Sequence, residues 1–341
     1  MLRRLHHILS KKFKLGKFVN LLRPLTMWYF AIGNVSLKFF KQIVRRDDSL
    51  VMFISYAGER FDDSPKAIYE YFLKHHASEG FRYVWAFKNP DKFSLDSDVT
   101  KVRVYSLRFY FFALKARVFI SNATIASKLE FIGKRTIYLN TWHGTAFKKI
   151  GIDRDDDRIN FCPNGNCIVD IMTAQSAYDV QIFSRAFMIP EERLVISGLP
   201  RNDELVAVSE SKRTEIRNRL NIPEGKKLIL YAPTYRGYEF DDTTLEFLET
   251  SPIHFSRWKE LLGDDYCVLF RAHYFINRIL VEQIDTDFVI DVSQHPSIND
   301  LIIVSDILVS DYSSLFFDYS ITEKPMICFA YDYELYKEEI G

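Results

Sequence analysis

The chain has 341 residues, 48% of them hydrophobic, and its 45 basic side chains balance its 45 acidic ones. That length exceeds what one hydrophobic core usually sustains, about 250 to 300 residues, and suits two domains. A net charge of zero argues against a dedicated nucleic-acid binder, and the four scattered cysteines, Cys162, Cys167, Cys267 and Cys328, lack the spacing of a CxxC redox or zinc motif.

Residues 1–46 carry eleven Lys and Arg and no acidic residue, with bulky apolar side chains between them and Trp28, Tyr29 and Phe30 at the centre. This basic amphipathic segment, residues 1–48, is expected to lie on an anionic membrane surface, cations on the headgroups and rings in the interface. A basic helix packed on the body and an RNA-contacting arm are the alternatives. The longest apolar run here, residues 25–37, is shorter than the ~20 residues a spanning helix needs. It also starts late for a secretory signal and has no clear small-residue cleavage site. The expected location is therefore the cytoplasmic face of the membrane, bound peripherally.

From residue 49 the composition becomes globular. Residues 50–56, 83–87, 102–105, 118–121, 136–140, 168–173 and 194–197 read as strands, and 64–74, 107–115 and 176–187 as helices. Such alternation predicts a parallel sheet covered by helices on both faces. The fifth strand runs into Thr141-Trp142-His143-Gly144-Thr145, and loops at the carboxyl ends of strands line the ligand crevice of an open α/β sheet. His143 is thereby a candidate despite being a lone histidine, and Gly144 would let backbone approach a ligand. Lys148 and Lys149 add positive charge beside this loop.

Residues 198–203, rich in turn formers, read as a connector, and 204–220 as one polar helix. The strand–helix pattern then restarts. Strand 227–231 leads to a loop with Thr234 and Arg236, strand 267–270 leads to Arg271-Ala272-His273-Tyr274, and 288–290 is a further strand. Residues 305–330 form a βαβ unit: a strand at 307–309, helix-starting chemistry at Asp311-Tyr312-Ser313-Ser314, and a second buried run at 326–329. Hydroxyls and unpaired N–H groups at that helix start suit a phosphate, although Asp311 or Ser313 could simply cap the helix.

Five stretches, Asn140-Thr141-Trp142-His143-Gly144-Thr145, Gly198-Leu199-Pro200-Arg201-Asn202-Asp203, Tyr231-Ala232-Pro233-Thr234-Tyr235-Arg236, Arg271-Ala272-His273-Tyr274 and Ser310-Asp311-Tyr312-Ser313-Ser314, occur in the order seen in the CDP-glycerol glycerophosphotransferase family. That family comprises teichoic-acid primases and polymerases and related capsule enzymes, and the chain resembles it from about residue 49 to the C-terminus. The resemblance implies a GT-B-like α/β fold of two Rossmann-type domains facing a cleft, preceded by the basic segment: an acceptor domain over residues 49–205 and a donor-binding domain over 206–341. It implies transfer of glycerol phosphate, or a related polyol phosphate, from CDP-glycerol or CDP-ribitol to a lipid-linked or glycan acceptor, releasing CMP. No cofactor is expected, no acidic cluster has metal-ligand spacing, since Asp155-Asp156-Asp157 reads as a solvated loop, and the zero net charge argues against a nucleic-acid partner. His143 takes the base role, and His273 and Arg271 lie across the cleft on the diphosphate. Ser313 and Ser314 bind phosphate, Gly144, Thr145, Thr234 and Arg236 join the substrate-binding walls, and Asp311 caps or orients.

Family members usually continue past the last strand into helices that pack back on the first domain, so either the C-terminal domain is truncated here or its cleft closes differently. The basic arm in place of a glycosyltransferase domain favours a single-domain transferase. A GT-B glycosyltransferase using a nucleotide sugar is the alternative activity. A catalytically inactive membrane scaffold is the non-enzymatic one, against which the presence of both histidines and both serines argues.

Overall fold

The computed structural model describes residues 40, 43–123, 135–153, 168–234, 240–241, 246–247, 253–271 and 287–339. Two parallel sheets organise them. The first has seven strands in the order β3-β2-β1-β4-β5-β6-β7. These are β1 (Asp47–Ile54), β2 (Arg82–Phe87), β3 (Thr100–Arg103), β4 (Ala116–Ser121), β5 (Ile137–Asn140), β6 (Ile171–Ala174) and β7 (Leu194–Ile196). The second has five, in the order β12-β11-β8-β13-β14, namely β8 (Lys227–Tyr231), β11 (Tyr266–Phe270), β12 (Val289–Asp291), β13 (Ile307–Ser310) and β14 (Met326–Cys328). A short antiparallel pair, β9 (Phe240–Asp241) and β10 (Glu246–Phe247), lies apart from both.

Nine helices accompany these strands among the described residues: α1 (Asp63–His75), α2 (Leu107–Lys115), α3 (Ala177–Phe187), α4 (Asp203–Val206), α5 (Glu210–Arg219), α6 (Phe255–Leu262), α7 (Ile298–Val304), α8 (Leu315–Ser320) and α9 (Tyr333–Glu339). None of them is long and apolar enough to cross a membrane.

The central strands are apolar over most of their buried stretches because both of their faces are covered. Along β1, Leu50, Met52 and Ile54 enter one core while Val51 and Phe53 enter another with Tyr69 and Trp85. β8 repeats the device, Leu228 and Leu230 facing one core and Ile229 and Tyr231 the other. Every pairing within the two sheets is parallel. This is the α/β arrangement that the alternating pattern predicts.

Three local expectations are corrected. Residues 326–329 are not a second buried run: Met326 and Ile327 are 42% and 51% exposed and Cys328 is exposed, because β14 is an edge strand paired only with β13. Residues 204–220 form two helices rather than one, since Ser209 caps a new start by accepting from the Lys212 N–H at 3.2 Å. The third strand ends at Arg103, and Tyr105, at a left-handed φ of 63°, turns the chain into α2.

In both sheets the strand order reverses beside the first strand of the domain, between β1 and β4 in one and between β8 and β13 in the other. Ligand crevices of open α/β sheets form at the carboxyl ends of strands at such reversals. The two crevices face a common cleft of about 1960 Å³. Between the sheets, residues 197–226 carry a 3-10 turn, Pro200–Asn202, then α4 and α5.

Candidate active site

The first crevice is built around Asn122, directly after β4. Its side-chain Oδ1 accepts the Tyr56 N–H at 2.8 Å, tying the end of β4 to the loop after β1. Its main-chain carbonyl lies 2.7 Å from His143 Nδ1, in the loop after β5. A carbonyl can only accept, so Nδ1 carries the proton and Nε2 keeps the lone pair. The ring is further fixed by Trp142, whose centroid is 4.2 Å away. Trp142 itself sits at a left-handed φ of 49°, held by its N–H donating to Asn140 Oδ1 at 2.8 Å. Burial pushes the imidazole below its ordinary pKa of 6.5, against the opposing pull of the Asn122 carbonyl and the Asp63 charge. The outcome is a neutral imidazole on the cleft wall with an available acceptor nitrogen.

Beside it lies a buried polar cluster. Asp63, at a left-handed φ of 67°, accepts from the Tyr56 hydroxyl at 2.6 Å and from Arg201 Nη1 at 2.6 Å. Burial alone would raise the Asp63 pKa, but Arg201 and the hydrogen bonds from Tyr56 and the Ser64 N–H outweigh it and hold the carboxyl below its ordinary value. Tyr56 moves the opposite way, its phenol raised well above 10 by burial and by Asp63.

The second crevice is bridged in the same manner. Asp311, directly after β13, accepts the Thr234 N–H at 2.9 Å through Oδ1, which also takes the Tyr312 N–H at 2.8 Å. Asp311 thus ties the loop after β8 to the end of β13. Arg271, after β11, lines the cleft and donates Nη1 to the His295 carbonyl at 2.9 Å. Burial lowers its pKa, and Arg60, across the cleft in the first domain, lowers it further. Ser313 and Ser314 line the same wall. Ser313 Oγ accepts the Leu315 N–H at 3.2 Å, which is capping chemistry, whereas the Ser314 side chain makes no cap bond.

The structure therefore gathers His143, Thr234, Arg271, Ser313 and Ser314 around one cleft. Thr145 is placed elsewhere: it is buried, its hydroxyl donating to Asp179 Oδ2 at 3.0 Å and accepting from Gln175 Nε2 at 2.7 Å. Gly144, at φ 152°, serves an approach between domains, since a Cβ there would stand 2.7 Å from Ser314 Oγ. His273 and Arg236 lie outside the described residues, as does the basic segment up to residue 39.

Sequence reasoning missed Tyr56, Asp63, Asn122, Asp318 and His295, and treated Arg201 only as part of a turn-rich motif. Tyr56 and Asn122 follow buried strands, so the strand-end rule applied to His143 would have found both. Asp63 and Asp318 carry no such mark, because each lies in a helix and gains its partner only through the fold.

Over residues 36–341 the sequence matches the family described as CDP-Glycerol:Poly(glycerophosphate) glycerophosphotransferase. The chain belongs to that family. Among its relatives is the teichoic acid poly(glycerol phosphate) polymerase of Staphylococcus epidermidis, 35% identical over 341 residues. The match covers 96% of this chain but 47% of the relative, so the chain spans about half of that protein's length. The teichoic acid glycerol-phosphate transferase of Staphylococcus aureus is 33% identical over 311 residues, covering 86% of this chain and 76% of the relative. A solved structure of the wall teichoic acid polymerase TagF superposes with a TM-score of 0.77 at 32% identity, covering 96% of this chain and 82% of that one. That superposition extends over both sheets of this chain.

Proposed function

We propose that the chain transfers glycerol phosphate, or a related polyol phosphate, from a CDP-linked donor to an acceptor hydroxyl in teichoic-acid synthesis. The observation that carries this reading is the state of His143: its Nδ1–H is committed to the Asn122 carbonyl, so Nε2 is a neutral acceptor on the wall of a cleft whose other wall carries Arg271, Ser313 and Ser314. In the proposed step Nε2 takes the proton of the acceptor hydroxyl as that oxygen attacks the distal phosphorus of the donor. The bond from that phosphorus to the bridging oxygen breaks, and the electron pair leaves with CMP. Such a transfer is mostly a matter of positioning and of cations on the diphosphate charge. Arg271 supplies such a cation, and the serine hydroxyls and the N–H groups beside them supply donors.

Family membership and the relatives named above support a CDP-linked donor over a nucleotide sugar. Incubation with CDP-glycerol, CDP-ribitol and a panel of UDP-sugars tests the reading. CMP release with incorporation of labelled polyol phosphate into acceptor is the expected result, and sugar transfer from a UDP donor without CMP release would overturn it. The basic segment, residues 1–46, holds the enzyme on anionic lipid in this proposal. Deleting it is expected to abolish sedimentation with anionic vesicles, and unchanged sedimentation would remove that part of the reading.

A further inference from the structure

Arg201 belongs to neither sheet, yet it joins both domains to the base. It lies in the 3-10 turn between β7 and α4 and is 7% exposed. Nη1 donates to Asp63 Oδ2 at 2.6 Å on α1 of the first domain, and Nη2 donates to Asp318 Oδ2 at 2.7 Å on α8 of the second. Nη2 also donates to the His143 carbonyl at 3.1 Å. The main chain is pinned as well, for the Arg201 carbonyl accepts from Asn299 Nδ2 at 2.6 Å on α7, and its N–H donates to Ser64 Oγ at 3.4 Å on α1. Asn202, the next residue, donates Nδ2 to the second oxygen of Asp318 at 2.7 Å.

From Asp63 the connection continues to the base. The Tyr56 hydroxyl donates to Asp63, the Tyr56 N–H donates to Asn122, and the Asn122 carbonyl fixes His143 Nδ1. Arg201 thus holds the loop of His143 twice, directly at its carbonyl and indirectly through Asp63, Tyr56 and Asn122. We propose that Arg201 is a positioning residue: it locks the two domains across the cleft through Asp63 and Asp318, and sets His143 for proton transfer only in that locked arrangement.

The chemistry suits a lock. Two carboxylates face one guanidinium away from water, so releasing either partner strands a buried charge and the contacts form or break together. A planar fork reaches two carboxylates and a carbonyl at fixed angles, which a lysine ammonium on a flexible stem does not reproduce. Gly144 is consistent with close apposition at the same place, since any side chain there would meet Ser314. A displacement of about 1 Å at a reacting group can cost on the order of 100-fold in rate, so a lock needs no substrate contact to govern turnover.

The catalytic half of this inference rests on the proposed transferase activity, whereas the lock does not, and the test separates them. Small-angle scattering of donor-free wild type, Arg201→Lys and Asp318→Asn reads domain separation. Both variants are expected to show a larger radius of gyration than wild type, and identical radii would overturn the lock. Turnover and calorimetric donor binding are measured on the same samples. A fall in kcat of about 10- to 100-fold with the CDP-glycerol Kd changed by less than about threefold is expected. Unchanged kcat in the folded variants, whatever their melting temperatures, would overturn the positioning role. Partial rescue of Arg201→Ala by guanidinium would support it. If the Arg201 and Asp318 variants do not fold, Tyr56→Phe decides, because it cuts the path to Asn122 without touching the ion pairs. A kcat lowered about threefold or more supports positioning through Asp63, Tyr56 and Asn122, and wild-type kcat overturns that path. Absence of CMP release from the wild type itself would sink the proposed activity alone, and the scattering comparison would still decide the lock.

Discussion

The two crevices of this molecule are bridged by the same device made from different residues. In the first, the amide of Asn122 holds the loop after β1; in the second, the carboxylate of Asp311 holds the loop after β8. A neutral amide at position 122 puts no further anion beside the ring, and burial, against the pull of the Asn122 carbonyl and of Asp63, keeps the imidazole pKa below 6.5. In the second crevice the Asp311 side chain is bonded to the Thr234 and Tyr312 N–H groups, and in the proposed reaction Arg271 is the cation that meets the diphosphate. The difference teaches a division of labour. Lesions in the first crevice should act on turnover and lesions in the second on donor affinity.

The largest expected effect is that of His143→Ala. Loss of a general base should lower kcat by about 100- to 10,000-fold while the CDP-glycerol Kd stays within about twofold, read by CMP release and calorimetry on one preparation. Equal losses in affinity and turnover would erase the division. Arg271→Ala probes the other wall. Removing a charged donor worth about 1.5 to 3 kcal/mol should raise the donor Kd by roughly 10- to 100-fold, with a smaller change in kcat at saturating donor. A kcat defect with normal Kd would move Arg271 to the catalytic side.

Exchanging the bridging chemistry sharpens the comparison further. Asn122→Asp places a carboxylate beside His143, which favours the imidazolium and should move the acid limb of activity to higher pH. An unmoved limb would mean that residue 122 does not set the state of the ring. The smallest effect is expected from the two serines taken singly. Ser313→Ala removes a bond to the Leu315 N–H and should lower stability by about 1 kcal/mol, seen as an earlier melt. Ser314→Ala removes no cap bond and should melt normally while weakening donor binding.

Much of this organisation was legible in the sequence, for a physical reason. Strands buried on both faces are largely continuous apolar runs, so β1, β2, β4, β8, β11 and β13 announce themselves, and loops that follow such strands line the cleft. His143, Thr234, Arg271 and the serines, all of which line the cleft, were singled out that way. What stayed hidden depends on distance in sequence. Arg201 meets Asp63 across 138 residues and Asp318 across 117, and nothing local in a turn-rich motif marks a residue as a junction between domains. Thr145 erred in the opposite direction, since its neighbours carry a site motif while its own hydroxyl faces Asp179 and Gln175. The exposure of Met326 and Ile327 could not be read from an apolar run, because hydrophobicity does not distinguish an edge strand from a central one.

The central claim is that a half-buried, neutral His143 is the base, and the pH dependence of kcat/KM tests it most directly because that ratio reports groups of the free enzyme. Burial holds the imidazole below its ordinary value of 6.5, so the neutral form persists to lower pH than in an exposed histidine. The acid limb of the wild-type profile should therefore have its midpoint below pH 6.5, and it should vanish from the residual activity of His143→Gln. A midpoint at or above pH 6.5, or a limb that survives unchanged in His143→Gln, would contradict the account.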